Sequence, residues 1–228
     1  MRIGRMIALM EQEAERSVRS NMSGAHTAGR GAPVRSVGAL VGKSPFRSLV
    51  FTVLSARTKD ETTLAACRRL FAFVKGPRDL VELGEEKVGK LIYPVGFYRT
   101  KAKNIVKMGR MLVEEHGGKV PRTREGLESL PGVGRKTANI MLCNVFGENE
   151  IPVDVHVHRI SNRLGLVRSK TPLETEHALH RVVLKRYIRR LNFAMVAFGQ
   201  TVCRPAVPLC SECPLRKSCP KVGVKSRK

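Results

Sequence analysis

The chain has 228 residues, 42% of them hydrophobic, which suits one large or two small packed domains and excludes a disordered polymer. Lys and Arg number 42 against 19 Asp and Glu, and the formal charge of +23 is spread along the whole sequence. Such a field favours a polyanionic partner without separating DNA from RNA, and a ribosome-associated protein or a merely basic exterior would carry it too.

The opening stretch, MRIGRMIALMEQEAER, mixes apolar positions with Glu11, Glu13 and Glu15. Those acids are wrong for a secretory signal or a transit peptide, so residues 1–17 are expected as an amphipathic helix. The protein is expected to be cytoplasmic or nucleoid-associated (nuclear if eukaryotic) and not secreted. Its six cysteines then belong in a reducing compartment. The strongest apolar run, Leu49 to Leu54, is broken by Thr52 and soon ended by Arg57. It falls far short of the ~18 residues that cross a bilayer, and no membrane partner is expected.

Residues 18–44 are rich in Ser, Gly, Arg and Ala without a helical or strand period, which predicts a linker or long loop. From Phe46 onward, apolar residues recur at three- and four-residue steps. Leu49, Val50, Val53 and Leu54 mark one helix, and Leu64, Cys67, Leu70 and Phe71 the next, with Asp60 placed to cap it. Pro77 opens a short helix, and YRTKAKNIVKMGRMLVEEHGG reads as a long one stopped by Gly117 and Gly118. Hardly any segment alternates like a strand. The fold class is therefore all-α, with short connections.

Residues 124–146, REGLESLPGVGRKTANIMLCNVF, read as helix, tight turn, helix, with Pro131, Gly132 and Gly134 making the turn. Glycines allow the backbone a close approach, so the amides of Gly132, Val133, Gly134 and Arg135 could converge on one phosphate. An ordinary αα-hairpin would read the same way. Lys136 follows in the first turn of the second helix, where, taken by itself, a phosphate contact or a solvated lysine is the favoured reading. Asp154, in IPVDVHVHRI, can cap a helix beginning near Val155. His156 and His158 lie beside it and suit helix packing or phosphate contact better than acid–base work.

The last element is a cysteine loop. Cys203, Cys210, Cys213 and Cys219 give C-x6-C-x2-C-x5-C, and four thiolates so spaced can hold an iron-sulfur cubane or a tetrahedral zinc. The wide first gap is unlike the paired C-x2-C of zinc ribbons. Arg204, Arg216 and Lys217 stand between or beside these cysteines and offer positive charge to phosphate. Cys67 and Cys143 fall on apolar helix faces and are expected in the core.

LPGVGRKTAN followed by VDVHVHR, together with LSARTKD, KLIYPVGFYRTKAKNI and the terminal cysteines, resembles the endonuclease III family, a branch of the helix-hairpin-helix DNA glycosylases. The resemblance runs roughly from Phe46 to Cys219. It implies a two-lobed helix-hairpin-helix fold with a C-terminal iron-sulfur cluster loop. Residues 45–150 would form a central helical domain carrying the hairpin, and 151–220 a C-terminal helical lobe with the loop at 203–219. The N-terminal helix would pack with that lobe, and 221–228 would be a basic tail. The cofactor implied is a 4Fe-4S cluster on Cys203, Cys210, Cys213 and Cys219.

The partner implied is double-stranded DNA containing a damaged base or abasic site, met by a monomer. The activity implied is that of a bifunctional DNA N-glycosylase and AP lyase of base excision repair, removing oxidised or saturated pyrimidines such as thymine glycol. Lys136 would be the nucleophile and Asp154 its carboxylate partner, and the chemistry needs a neutral amine, for which burial of Lys136 in a cleft is expected. Many family members place Gln where this sequence has Ala56 or Arg57; Arg57 would fill the space left by the flipped base, and Phe97 would be an apolar wedge or else a core aromatic. Alternatives are a mismatch-specific thymine or adenine glycosylase on the same fold, from which Lys136 argues away the adenine enzyme, and a non-catalytic helix-hairpin-helix DNA-binding protein.

Overall fold

The computed structural model describes residues 2–22 and 32–226, and every regular element among them is helical. The chain divides into two units: one is the continuous stretch Gly31–Glu148, and the other joins Met1–Arg30 to Asn149–Lys228.

The continuous unit begins with α2 (Ala32–Val41), inside the stretch predicted as a linker. This corrects the reading of 18–44, whose first residues also belong to α1 (Ile3–Met22). Residues 23–31 of that prediction lie outside the described residues. Val41 is buried and Leu40 packs on the core, so tertiary contact supplies what the Ser/Gly-rich local sequence does not. Helix α3 (Pro45–Ser55) starts at Ser44, whose side chain accepts from the Arg47 amide at 3.3 Å, with Pro45 in the first turn. Its face Leu49, Val50, Val53 and Leu54 is buried, as the periodicity predicts.

Helix α4 (Asp60–Phe73) has Lys59, not Asp60, at its N-cap. Asp60 stands inside the first turn and acts through its charge against the positive helix end. Helix α5 (Pro77–Ile92), interrupted at Gly84, packs along α6 (Tyr98–His116), which ends at Gly117. The hairpin follows as α7 (Arg124–Glu128) and α8 (Arg135–Ile140), and α8 passes into a π-helical turn, Met141–Phe146. A core of Leu54, Leu70, Leu80, Ile105, Met108, Leu127, Ala138 and Met141 joins these helices.

In the second unit, α1 buries Met6, Ile7 and Met10 and packs against α11 (Lys185–Thr201). Arg190 on α11 donates through two nitrogens to the Glu11 carboxylate. Helices α9 (Val155–Arg163) and α10 (Pro172–Val182) complete the unit, and the cysteine segment follows α11.

Candidate functional site

The hairpin turn is built from the inside out. Val133 is buried in the core, and its amide donates to Leu130 O at 3.1 Å. That amide closes the turn instead of facing outward, which corrects the expectation that it joins a phosphate cradle. Gly132 holds φ at +82°, and a Cβ there would meet Asn104 Nδ2 at 3.2 Å, so both conformation and space require glycine. Gly134 is the N-cap of α8 and contributes no side-chain cap to its first turn. Arg124 on α7 donates to Asn139 Oδ1, which is wholly buried on α8, and so ties the two hairpin helices together.

Lys136 is the second residue of α8 and is exposed. The burial expected around its amine is not supplied by the chain.

Asp154 stands in the other unit, at the N-cap of α9. Its Oδ1 accepts from the His156 and Val157 amides, both at 2.9 Å, so the capping role is real. The residues before it, Ile151, Pro152 and Val153, are buried, and Asn192 Nδ2 on α11 donates to Pro152 O at 2.7 Å. An apolar strap therefore fixes the half-buried carboxylate. His158 Nδ1 lies 2.6 Å from Thr175 Oγ1, a packing contact between α9 and α10. His156 Nδ1 lies 3.1 Å from Arg159 Nη2 on its own helix.

Arg57 and Phe97 share an unusual backbone. Each takes a left-handed conformation, with φ of 52° and 57°, and each is exposed, Phe97 to 66%. The core alternative for Phe97 is thereby excluded. It is the N-cap of α6 and projects from the turn that contains Pro94 and Gly96.

The four loop cysteines line one pocket with Ile160, Leu164, Phe198 and Val202. None is in a disulfide. Burial pushes the Cys213 thiol up to about 11, and the neighbouring Cys219, Cys203 and Cys210 push in the same direction. Four thiols around one pocket would repel one another as thiolates, so the donor set suits a cationic centre. Cys67 and Cys143 are buried elsewhere, and burial alone pushes the Cys67 thiol up to about 12.

Two arginines that sequence reasoning passed over hold this loop. Arg163 donates to Arg204 O at 2.7 Å and Pro205 O at 2.6 Å, and its Nη1 reaches Cys203 Sγ at 3.5 Å. Arg159 Nη2 donates to Cys203 O at 2.9 Å and Gly199 O at 3.1 Å. Their spacing of four residues on the helix that Asp154 caps was the available signal. Arg204 is exposed and donates through Nε to Thr201 O at 2.8 Å.

The HhH-GPD superfamily base excision DNA repair proteins match residues 50–185. The chain is similar to endonuclease III of Thermotoga maritima, 49% identical across 77% of this chain and 82% of that protein. It is 41% identical to endonuclease III of Bacillus subtilis, across 79% and 83%. Among solved structures, a trapped endonuclease III–DNA covalent intermediate matches with a TM-score of 0.73 at 39% identity, across 78% of this chain and 84% of that one.

Proposed function

This chain belongs to the endonuclease III family, within the HhH-GPD superfamily of base excision DNA repair proteins, and from that premise we propose how its own residues perform the chemistry. It is a DNA glycosylase and AP lyase acting on double-stranded DNA. The substrate is an oxidised or saturated pyrimidine of the thymine-glycol type, or the abasic site left in its place.

The observation that carries the assignment is the short path from Gly134 to Lys136. A glycine turn that can receive a phosphate stands next in sequence to an exposed lysine, so docking the strand would bring a nucleotide to the nucleophile. Arg57 and Phe97 enter the duplex as the base is extruded. The bound nucleotide then supplies the enclosure that the protein alone does not give Lys136.

The neutral amine of Lys136 forms a bond to C1′ as the glycosidic bond breaks, and the base leaves with a proton. Asp154 stabilises positive charge at the sugar or relays the proton. The nitrogen lone pair then expels O4′ from C1′, O4′ takes up a proton, and the ring-opened adduct is an iminium. Loss of a C2′ proton breaks the C3′–oxygen bond, the 3′ phosphate departs, and hydrolysis returns the amine.

Cys203, Cys210, Cys213 and Cys219 would hold a 4Fe-4S cluster, as their spacing and shared pocket suit. When bound, it supplies a fixed frame for the loop that carries Arg204, Arg216 and Lys217. The protein acts as a monomer where the cell keeps its DNA, in the nucleoid or nucleus.

Borohydride trapping on a thymine-glycol duplex beside one with a G·T mismatch tests the reading. A covalent adduct is expected on the first and not the second, and Lys136→Gln should abolish it while DNA binding remains. Preferential trapping on G·T would replace the lesion assignment, and an adduct surviving in Lys136→Gln would sink the nucleophile.

A further inference from the structure

Among the described residues, Lys101 is the only buried lysine or arginine, at 8% exposure. Its Nζ donates to Leu54 O at 2.8 Å, Ala56 O at 2.5 Å and Thr58 Oγ1 at 3.0 Å. An ammonium has three donors, and here each has an acceptor. Desolvation holds this lysine below its ordinary pKa, so the three bonds offset a real cost of burial. Leu54 and Ala56 lie at the end of α3, where helix carbonyls lack partners within the helix. Lys101 caps that end from another helix.

The arrangement extends past the lysine. Thr58 Oγ1 also accepts from the Gly96 amide at 3.2 Å, which joins the turn after α3 to the turn before α6. The two turns touch so closely that a Cβ on Gly96 would lie 2.9 Å from Arg57 O and 3.3 Å from Thr58 Oγ1. Lys101 itself begins four residues after Phe97 and donates its amide to Phe97 O at 3.0 Å. Thus Arg57 stands on one turn and Phe97 on the other, both left-handed, with Thr58, Gly96 and Lys101 between them. Left-handed non-glycine residues persist only where their surroundings over-determine them.

We infer that Lys101 is a positioning residue that locks the Arg57 and Phe97 turns into one rigid, two-pronged unit, so that both side chains enter a duplex in fixed register. The inference rests on the insertion roles proposed above for Arg57 and Phe97. Separating stacked bases is costly. A prong on a loose turn would add the cost of ordering that turn at the same moment, and the brace settles that cost during folding.

Lys101→Met keeps the length of the stem and removes all three donors. Three readouts are needed: single-turnover excision from a thymine-glycol·adenine duplex, nicking at a preformed abasic site, and fluorescence of 2-aminopurine beside the lesion. The ratio of excision to nicking is expected to fall about ten-fold, with the fluorescence rise slowed to match, because an abasic site has no base to unstack. In Lys101→Met combined with Arg57→Ala, excision should be no slower than in the worse single variant. Thr58→Val cuts the link to Gly96 but leaves the two carbonyl bonds, and should shift the same ratio by a smaller factor. It also decides the matter if Lys101→Met does not fold.

An unchanged ratio in a variant that melts like the parent overturns the inference, whether both activities fall together or neither falls. If Arg57→Ala and Phe97→Ala leave excision from the paired duplex unchanged, the insertion reading fails and takes the brace with it. If they slow excision while Lys101→Met and Thr58→Val do not, the brace alone fails.

Discussion

Asp154 performs two tasks that substitution can separate. Its Oδ1 caps α9, while its charge is available to the reacting sugar. Asparagine caps nearly as well as aspartate. Asp154→Asn should therefore melt close to the parent while base excision falls by about a hundred-fold or more, measured under single-turnover conditions. Asp154→Ala should lose the chemistry and also about 1 kcal/mol of stability. Equal melting of the two variants would show that the cap contributes nothing. Sequence alone made the capping aspartate legible, because Asp before an apolar-periodic run is a local pattern. It could not make the exposure of Lys136 legible, since exposure depends on what the rest of the chain places over a residue. Lys101 was invisible for the same reason: its three acceptors lie more than forty residues away in sequence.

Helix ends carry the next level of organisation, and some of them respond to pH. The Asp79 carboxylate at the start of α5 accepts from the Lys75 amide at 2.6 Å and the Gly76 amide at 3.0 Å. Those two bonds hold its carboxyl below the usual range. A depressed folded-state pKa contributes stability above the unfolded value and loses it as pH falls through the folded one. Asp79→Ala should cost on the order of 1 kcal/mol at neutral pH. Its melting deficit should shrink as pH drops below about 4, near the unfolded carboxylate value, and thermal melts across that range would reveal it.

Arg163, at the far end of α9 from Asp154, gives a second prediction. Arg163→Met removes donors to Arg204 O and Pro205 O and should cost about 2 kcal/mol. Iron retained per chain during chelator challenge should fall in parallel, provided the pocket holds the proposed cluster. Helices α3, α6 and the hairpin were legible from period and punctuation. Helix α2 was not, because its Ser- and Gly-containing sequence is weak and packing decides it. The π-helical turn after α8 escaped as well, since a shift of one residue in hydrogen bonding barely alters the spacing of buried side chains.

At the scale of the whole molecule, the +23 charge makes binding depend on salt. The logarithm of duplex affinity should fall linearly with the logarithm of salt, at a slope of roughly −0.9 per phosphate neutralised. Arg204→Ala should flatten that slope by about one contact's worth while leaving lesion preference unchanged, as titrations at several salt concentrations would show. A slope equal to the parent's would remove Arg204 from the interface.

The division into units has a bearing on how the chain is made. Gly31–Glu148 is continuous, whereas the other unit is assembled from stretches on either side of it. A ribosome releases the whole continuous unit, hairpin included, before the first residue of α9 emerges, and that unit has its own core with which to fold. Met6, Ile7 and Met10 leave the ribosome before that unit, whereas their partner α11 is translated after it. The apolar face of α1 therefore stays uncovered while the whole continuous unit is made, and the second unit can close only once α11 arrives.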